Sequence, residues 1–220
     1  MKTYTELQNI CLRRTKTEGE ADALAGFQED LNIGQSIIAS LRLWSELYTS
    51  STLSLTNGVE TYSLASDVDV VEQLRITSPT DQEKELKYIS KEEFRRINPV
   101  TSNDSTAVPT YWYWSEPSIG TDYTPTKQVS FYPIPDGGYT VEYSYKKTVP
   151  QMSNVTDYPF FDGKYHHILT YYAIWKYAER EADQSLNPTY WKNEWETALG
   201  NLIETDSQQK HQPPIGYECP

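Results

Sequence analysis

The adjacent histidines His166 and His167 are the first residues in this sequence that could bind a metal ion or act as a base. Neighbouring residues of a helix point about 100° apart, so two such imidazoles do not easily bind one ion. The positions where a further ligand would help, three and four residues on, hold Leu169, Thr170 and Tyr171. We therefore predict a structural or solvated histidine pair, with no metal and no cofactor.

Carboxylates are abundant, but their positions favour structural roles over catalysis. Asp157 and Asp162 lie near the histidines in sequence, where loop solvation explains them better than a weak acidic site. Glu92-Glu93 begin a predicted helix and suit capping and dipole roles. Asp67 and Asp69 share one face of a predicted strand. The sequence has no nucleophile elbow, Walker loop, dinucleotide-binding glycine motif or metal-spaced Cys/His set, so we expect no enzyme and no catalytic residue.

Four consecutive aromatic residues, Tyr111 to Trp114, admit a binding function. In a strand, Trp112 and Trp114 share one face while Tyr111 and Tyr113 share the other. One face must be core. The other would stack on sugar rings, in a carbohydrate- or receptor-binding module, or would cover a neighbouring subunit. We favour core packing plus subunit contact and keep the sugar-binding module as the alternative.

Composition indicates a folded chain with many interface-type residues. The 220 residues are 37% hydrophobic and include 18 Tyr, 6 Trp and 5 Phe. Tyr and Trp bury a large area and keep a polar group, which suits strand faces and subunit contacts. The formal net charge of -12 argues against nucleic acid binding along the outer surface, although it permits a wall past which DNA slides.

Compartment signals are few. Cys11 and Cys219 lie near opposite ends, and two reduced thiols explain them better than a disulfide. The N-terminus has no apolar segment of the kind that signal peptides carry, and no run of 18 apolar residues occurs. We expect neither export by this route nor membrane insertion.

Helical periodicity lies at both ends of the chain. The first helix is predicted from about Tyr4 to Arg14 and the second from about Glu20 to Tyr48. Two seven-residue repeats mark the packing face of the second helix: Leu24, Leu31 and Ile38, and Phe27, Gly34 and Leu41. A third apolar helix is predicted around Tyr165 to Gln184, and a fourth begins at Pro188.

Strand signals fill the middle of the chain. Asn57-Gly58 between two alternating segments predicts a hairpin, and a second pair is predicted from Val68–Thr77 and Lys84–Ile89. Ser90-Lys-Glu-Glu93 is a capping box that predicts a short helix. The segment Gln128–Lys147 is predicted to form another hairpin, with Tyr139, Val141, Tyr143 and Tyr145 alternating with polar residues.

These patterns predict an α+β protein. Its N- and C-terminal helix pairs would form a four-helix bundle (residues 1–50 and 151–205). An antiparallel β-sandwich or barrel domain (residues 51–150) would be inserted between them, and residues 206–220 would form an extended C-terminal tail.

Short motifs in this same order run through nearly the whole chain. They are Leu43-Trp44, Gly58–Leu64, Ile89–Phe94, Pro109–Tyr113, Phe131–Gly137 and Tyr143–Pro150. Together they resemble the head-to-tail adaptor (connector) proteins of tailed bacteriophages, including the tail tubular protein of short-tailed phages. The resemblance is strongest at Phe131–Gly137.

The resemblance implies a structural virion protein. It would be a subunit of a dodecameric ring beneath the capsid portal, assembled in the host cytoplasm. The expected partners are further copies of the chain, the portal protein and the downstream tail or nozzle protein, with no membrane. DNA would pass through the lumen during genome ejection without specific binding, because a wall rich in carboxylates repels it weakly.

The resemblance also implies that the bundle and a C-terminal extension dock onto the portal. Residues 207–220 lack periodicity, and Pro213-Pro214 favours an extended conformation. The predicted portal-docking residues are Gln208, His211, Pro213, Pro214, Ile215 and Tyr217. The candidate subunit contacts are Tyr111, Tyr113, Tyr139 and Tyr143. Besides the sugar-binding module, an enzyme of unrecognised class stays open as a third hypothesis.

Overall fold

The computed structural model describes residues 1–42, 44–98, 105–116, 118–119, 125–182 and 184–211. The chain divides into two compact units: a helical unit of Met1–Glu46 and Val149–Pro220, and a sheet unit of Leu47–Thr148. The sheet unit is thus continuous in sequence, whereas the helical unit is built from both ends of the chain.

The described part of the chain contains five α-helices. They are α1 (Tyr4–Thr15), α2 (Ala21–Ser40), α3 (Lys91–Ile97), α4 (His167–Arg180) and α5 (Pro188–His211). In the helical unit, α4 packs against α1, α2 and α5. Gly34 of α2 permits close approach, because a β-carbon there would lie 3.0 Å from Tyr172 Cδ1 and 3.3 Å from Leu169 Cδ2 of α4. α3 belongs to the sheet unit and packs on a strand.

Local sequence signals explain where several helices begin. At α1, Glu6 N donates to Thr3 Oγ1 (3.2 Å) and Thr3 N donates to Glu6 Oε2 (2.8 Å), which forms a capping box. At α3, Glu93 N donates to Ser90 Oγ at 3.1 Å, so the predicted cap at Ser90 is confirmed.

α2 is shorter than the sequence predicted. It ends at Ser40, and Tyr48 already begins a strand. The indole of Trp44 is fully buried and its Nε1 donates to Ile38 O at 2.8 Å. Leu41 N also donates to Ile38 O (3.2 Å). This carbonyl therefore accepts hydrogen bonds from groups outside the α-helical pattern, in which the donor lies four residues further along the chain. The prediction of one helix to Tyr48 was wrong because burial of Trp44 ends α2.

The described residues of the sheet unit contain nine short strands. They are β1 (Tyr48–Leu55), β2 (Thr61–Ser63), β3 (Val68–Ser78), β4 (Lys84–Tyr88), β5 (Tyr111–Trp114), β6 (Ser118–Ile119), β7 (Pro125–Thr126), β8 (Gln128–Tyr132) and β9 (Tyr139–Lys147). Seven form one sheet in the order β1-β9-β3-β4-β5-β8-β2, and β6 pairs with β7. The large sheet is nearly closed and barrel-like, so the α+β fold class is confirmed.

Strand partners differ from the sequence predictions in three places. β8 pairs with β5 and β2, whereas β9 pairs with β1 and β3, so the predicted hairpin over Gln128–Lys147 was wrong. The predicted hairpin at Asn57-Gly58 was also wrong, because that turn joins β1 and β2, which have different partners. β4 and β5 pair in parallel, against the expected antiparallel sheet. The predicted β3–β4 hairpin is confirmed.

The segment between β8 and β9 shows why no hairpin forms. Pro133 and Pro135 have no N–H to donate to a ladder. Between them, Ile134 N donates to Ser105 O (3.0 Å) and Ala107 N donates to Ile134 O (2.9 Å). This segment therefore bonds to residues 105–107 instead of folding β8 back onto β9.

The alternation predicted for β9 is confirmed. Tyr139, Val141, Tyr143 and Tyr145 are buried, and the residues between them are half-buried. They join a core cluster that also contains Leu74, Ile76, Trp112, Val129 and Phe131. One face of β9 is therefore interior, as a period of two requires.

An ion pair between the buried Asp30 of α2 and the exposed Arg180 of α4 predicts a pH effect on stability. Arg180 Nη1 and Asp30 Oδ2 lie 3.4 Å apart, with the Asp30 side chain 8% exposed. Burial raises the pKa of Asp30 above its ordinary value, and the charge of Arg180 only partly opposes this. Between the unfolded pKa of about 3.9 and the raised folded pKa, the folded state binds more protons. Stability from this group is therefore lost as pH rises through the folded pKa.

We expect Asp30→Asn to flatten this pH dependence, measured as the urea midpoint at several pH values between about 2 and 7. Asp157→Asn is a control of opposite sign. Hydrogen bonds from the backbone N–H groups of Asn154 and Ser153 lower the pKa of Asp157, so its stabilising effect grows as pH rises toward the unfolded pKa of about 3.9 and is constant above it. An Asp30→Asn curve parallel to the wild-type curve would contradict the assignment.

None of the helices in the described residues combines the length and apolarity needed to cross a bilayer.

Candidate functional site

The two histidines occupy different environments. His166 is fully buried, with Nε2 2.9 Å from Phe161 O and Nδ1 2.9 Å from Lys2 O. These contacts give His166 a structural role in holding the N-terminus. His167 is half-buried, with Nδ1 2.9 Å from Lys164 O. Among the described residues, no group of three or more His, Cys, Asp or Glu side chains is arranged to hold a metal ion.

The sequence-selected aspartates have local structural partners. Asp157 accepts hydrogen bonds from the backbone N–H groups of Ser153 and Asn154, both at 2.8 Å. Asp162 accepts one from Lys164 N at 3.0 Å, which lowers the pKa of its carboxyl group. These contacts account for both carboxylates as loop and helix-start anchors.

The two aspartates of the β3 region also bond within the sheet unit. Asp67 Oδ1 accepts a hydrogen bond from Tyr145 OH at 3.1 Å. Asp69 lies 3.6 Å from Lys127 Nζ and 3.8 Å from Lys146 Nζ. Both carboxylates are therefore explained by neighbours in the sheet.

The aromatic strand β5 divides its rings between core and partial exposure. Trp112 and Tyr113 are buried, while Tyr111 and Trp114 are half-buried. Trp114 packs against the core cluster, with its ring 5.8 Å from that of Trp112. Each face of the strand thus has one buried ring, Trp112 on one face and Tyr113 on the other. This argues against the sugar-stacking hypothesis for this strand.

The four tyrosines predicted as subunit contacts do not form one exposed surface. Tyr113, Tyr139 and Tyr143 are buried within the chain itself, and Tyr111 is half-buried. Tyr139 OH donates to Asp136 Oδ1 at 2.5 Å, and this hydrogen bond, with burial, raises the pKa of Tyr139 to about 12. Packing within the chain accounts for the three buried rings. Subunit contact stays a prediction, and we keep it for Tyr111.

The C-terminal part of α5 is fastened to the helical unit by Arg42. Arg42 Nη2 lies 2.9 Å from Asp206 Oδ2, and Arg42 Nη1 donates to Ile203 O at 2.8 Å. One residue before Asp206, Thr205 Oγ1 lies 2.6 Å from Tyr165 OH. These contacts hold the C-terminal part of α5 in place, and with it the point from which the chain continues to residues 212–220. Sequence reasoning missed Arg42, because its partners lie about 160 residues away and no local signal marks them.

The predicted portal-docking residues fall partly inside a helix. The α5 backbone continues through Gln208 to His211, so the expectation of an extended tail from residue 206 was wrong for residues 206–211. The ion pair between Asp206 and Arg42 stabilises α5 beyond residue 205, where the sequence predicted that the helix ends. Pro213, Pro214, Ile215 and Tyr217 lie outside the described residues.

The family model described as SU10 adaptor protein matches residues 2–216, which is nearly the whole chain. No curated protein matches the sequence. The adaptor family is structural, in keeping with carboxylates and histidines that serve the fold. The chain therefore belongs to the SU10 adaptor protein family and is a phage adaptor (connector) protein.

Proposed function

We propose that this protein is one subunit of an oligomeric ring that joins the capsid portal to the tail and encloses the DNA channel. The family match over residues 2–216 carries the proposal. The division into a helical unit and a sheet unit supports it, because a connector needs one surface for each neighbour. In this proposal the helical unit acts as a bundle that attaches to the portal, and the inserted sheet unit meets the downstream tail or nozzle protein.

The charge of the chain suits a channel wall. A net charge of -12 makes each subunit repel the DNA phosphates, so the genome passes without adhering. Members of such a ring would be virion components that act during genome ejection and perform no catalysis. We infer a closed ring, with twelve copies implied by the family resemblance alone.

The C-terminal segment is the proposed portal contact. It begins beyond the anchor that Arg42 makes with Asp206 and Ile203, so its starting point is held in place. Gln208 and His211 on the last turns of α5, and Pro213, Pro214, Ile215 and Tyr217 beyond it, would then contact the portal. An anchored base lowers the entropy that such a segment loses on binding.

Deleting residues 212–220 tests this function, because the deletion preserves the whole of α5. We expect portal affinity to fall by about tenfold or more, while the unfolding free energy changes by less than about 0.5 kcal/mol. The measurement is binding to the portal from the same phage, followed by negative-stain imaging of the complex. A deletion of residues 207–220 provides a comparison that also shortens α5. Wild-type affinity in both deletions would disprove docking through the tail, and wild-type protein that never decorates the portal would disprove the connector role.

A further inference from the structure

A pocket of about 410 Å³ on the helical unit has an unusual charge for this acidic chain. Four of its seven lining residues are basic or can become so: Lys2, Arg13, Arg14 and His167. None of the seven is acidic. We call this surface, which also includes Ile10, Thr170 and Tyr171, the basic pocket. It concentrates positive charge in a protein whose net charge is -12.

Aromatic rings support one side of the basic pocket. The His167 and Tyr171 rings lie 5.3 Å apart, and the Tyr171 and Trp191 rings 5.7 Å apart. The Arg14 guanidinium lies over the Trp191 ring at 5.2 Å, which is within cation–π range. Arg13 Nε donates to Asn9 O at 3.2 Å. Both guanidinium groups are therefore partly positioned, which lowers the entropy cost of binding an anion.

The cations of the basic pocket are not neutralised within the described part of the chain. No ion pair there joins Lys2, Arg13 or Arg14 to a carboxylate, whereas Lys176 and Lys192 have carboxylate partners on their own helices. Two acidic residues, Glu6 and Glu18, line a second pocket that also includes Lys2 and Arg13. Glu6 is engaged in capping α1 through Thr3 N at 2.8 Å.

We propose that the basic pocket docks a carboxylate-bearing segment of a second copy of this chain, and this assignment rests on the ring proposed above. A ring is built from heterologous contacts, which join two unlike patches of the same chain. The net charge of -12 means that a neighbouring copy presents an excess of carboxylates. Arginine forms short, charge-assisted and often bidentate hydrogen bonds with carboxylates.

Charge reversal at Arg13 and Arg14 tests the assignment. The variant Arg13→Glu/Arg14→Glu is mixed with the portal of the same phage, and mass photometry counts the copies bound to each portal. Arg95→Glu/Arg96→Glu is the matched control, since those two arginines are also adjacent, exposed and in the last turn of a helix. Circular dichroism melting verifies that both variants are folded. If Arg13→Glu/Arg14→Glu is unfolded, the neutral variant Arg13→Gln/Arg14→Gln replaces it.

We expect the wild type and the control to load the portal with several copies cooperatively. The Arg13→Glu/Arg14→Glu variant is expected to bind as isolated copies, with association between copies weakened about tenfold or more. Wild-type loading by this variant would overturn the assignment. So would loss of portal binding without loss of association between copies, or salt-sensitive binding of a DNA duplex that needs the two arginines. Isolated copies in the wild type would instead refute the ring itself, and with it this docking role.

Discussion

Replacing Trp44 by alanine should destabilise the helical unit by about 3–5 kcal/mol, the usual cost of removing a fully buried large aromatic side chain. The Trp44 side chain is 1% exposed, and its ring meets that of Phe160 edge-on at a centroid distance of 5.9 Å. Its Nε1 donates to Ile38 O, so the substitution also leaves a buried carbonyl with one partner fewer. Chemical denaturation followed by circular dichroism at the helical minimum measures the loss.

Tyr158→Ala is the control for the Trp44 substitution. Tyr158 also belongs to the helical unit but is 47% exposed, so its removal should cost less than about 1 kcal/mol. Equal denaturation midpoints for Trp44→Ala and the wild type would contradict the stabilising role assigned to the buried Trp44 ring. If the helical unit attaches to the portal as proposed, Trp44→Ala should also yield little protein that attaches to the portal.

Tyr143→Ala should destabilise the sheet unit by a similar amount, about 3–5 kcal/mol. Tyr143 is 3% exposed, stacks on Tyr145 at 5.2 Å and pairs across the sheet with Ser51 and Leu74. Among the described residues, its hydroxyl accepts one long hydrogen bond, from Ala65 N at 3.4 Å. Tyr143→Phe keeps the ring and should therefore cost about 0.5–1.5 kcal/mol. Urea unfolding and sedimentation velocity on the same samples separate folding from assembly.

Tyr111→Ala completes this comparison. Its ring is half-buried, and if it contacts a neighbouring subunit, the variant should fold like the wild type but assemble less well. If Tyr143→Ala folds normally and fails only to assemble, the assignment of the Tyr143 face of β9 to the core is wrong. Unchanged assembly of Tyr111→Ala would end the subunit-contact hypothesis for the last of the four tyrosines.

Features governed by neighbouring residues were predictable from sequence. The caps at Ser90 and the helix beginning at Tyr4 follow from hydrogen bonds between residues three positions apart. The alternation of Tyr139 to Tyr145 follows from the strand period alone. The family assignment was reached in the same way, from short motifs in a characteristic order, and the match over residues 2–216 confirms it.

Features that depend on distant residues were not predictable. The alternation of β8 and β9 specifies which side chains face inward, but it does not specify which strand lies beside each of them. The β8–β9 connection bonds instead to residues 105–107. Likewise, residues 206–211 are helical although no apolar repeat in their sequence predicts a helix. Arg42, which forms an ion pair with Asp206 at this end of α5, comes from the N-terminal part of the chain.

The sequence by itself determined the α+β class, the two helical ends, the interior face of β9 and the connector family, because each of these is encoded in short-range spacing or motif order. Only the tertiary structure decided which strands pair, which tyrosines are core, how α5 is anchored and that Arg14 lies over the Trp191 ring. The physical reason is that burial and ion pairing join groups far apart in the chain, and periodicity carries no information about such partners.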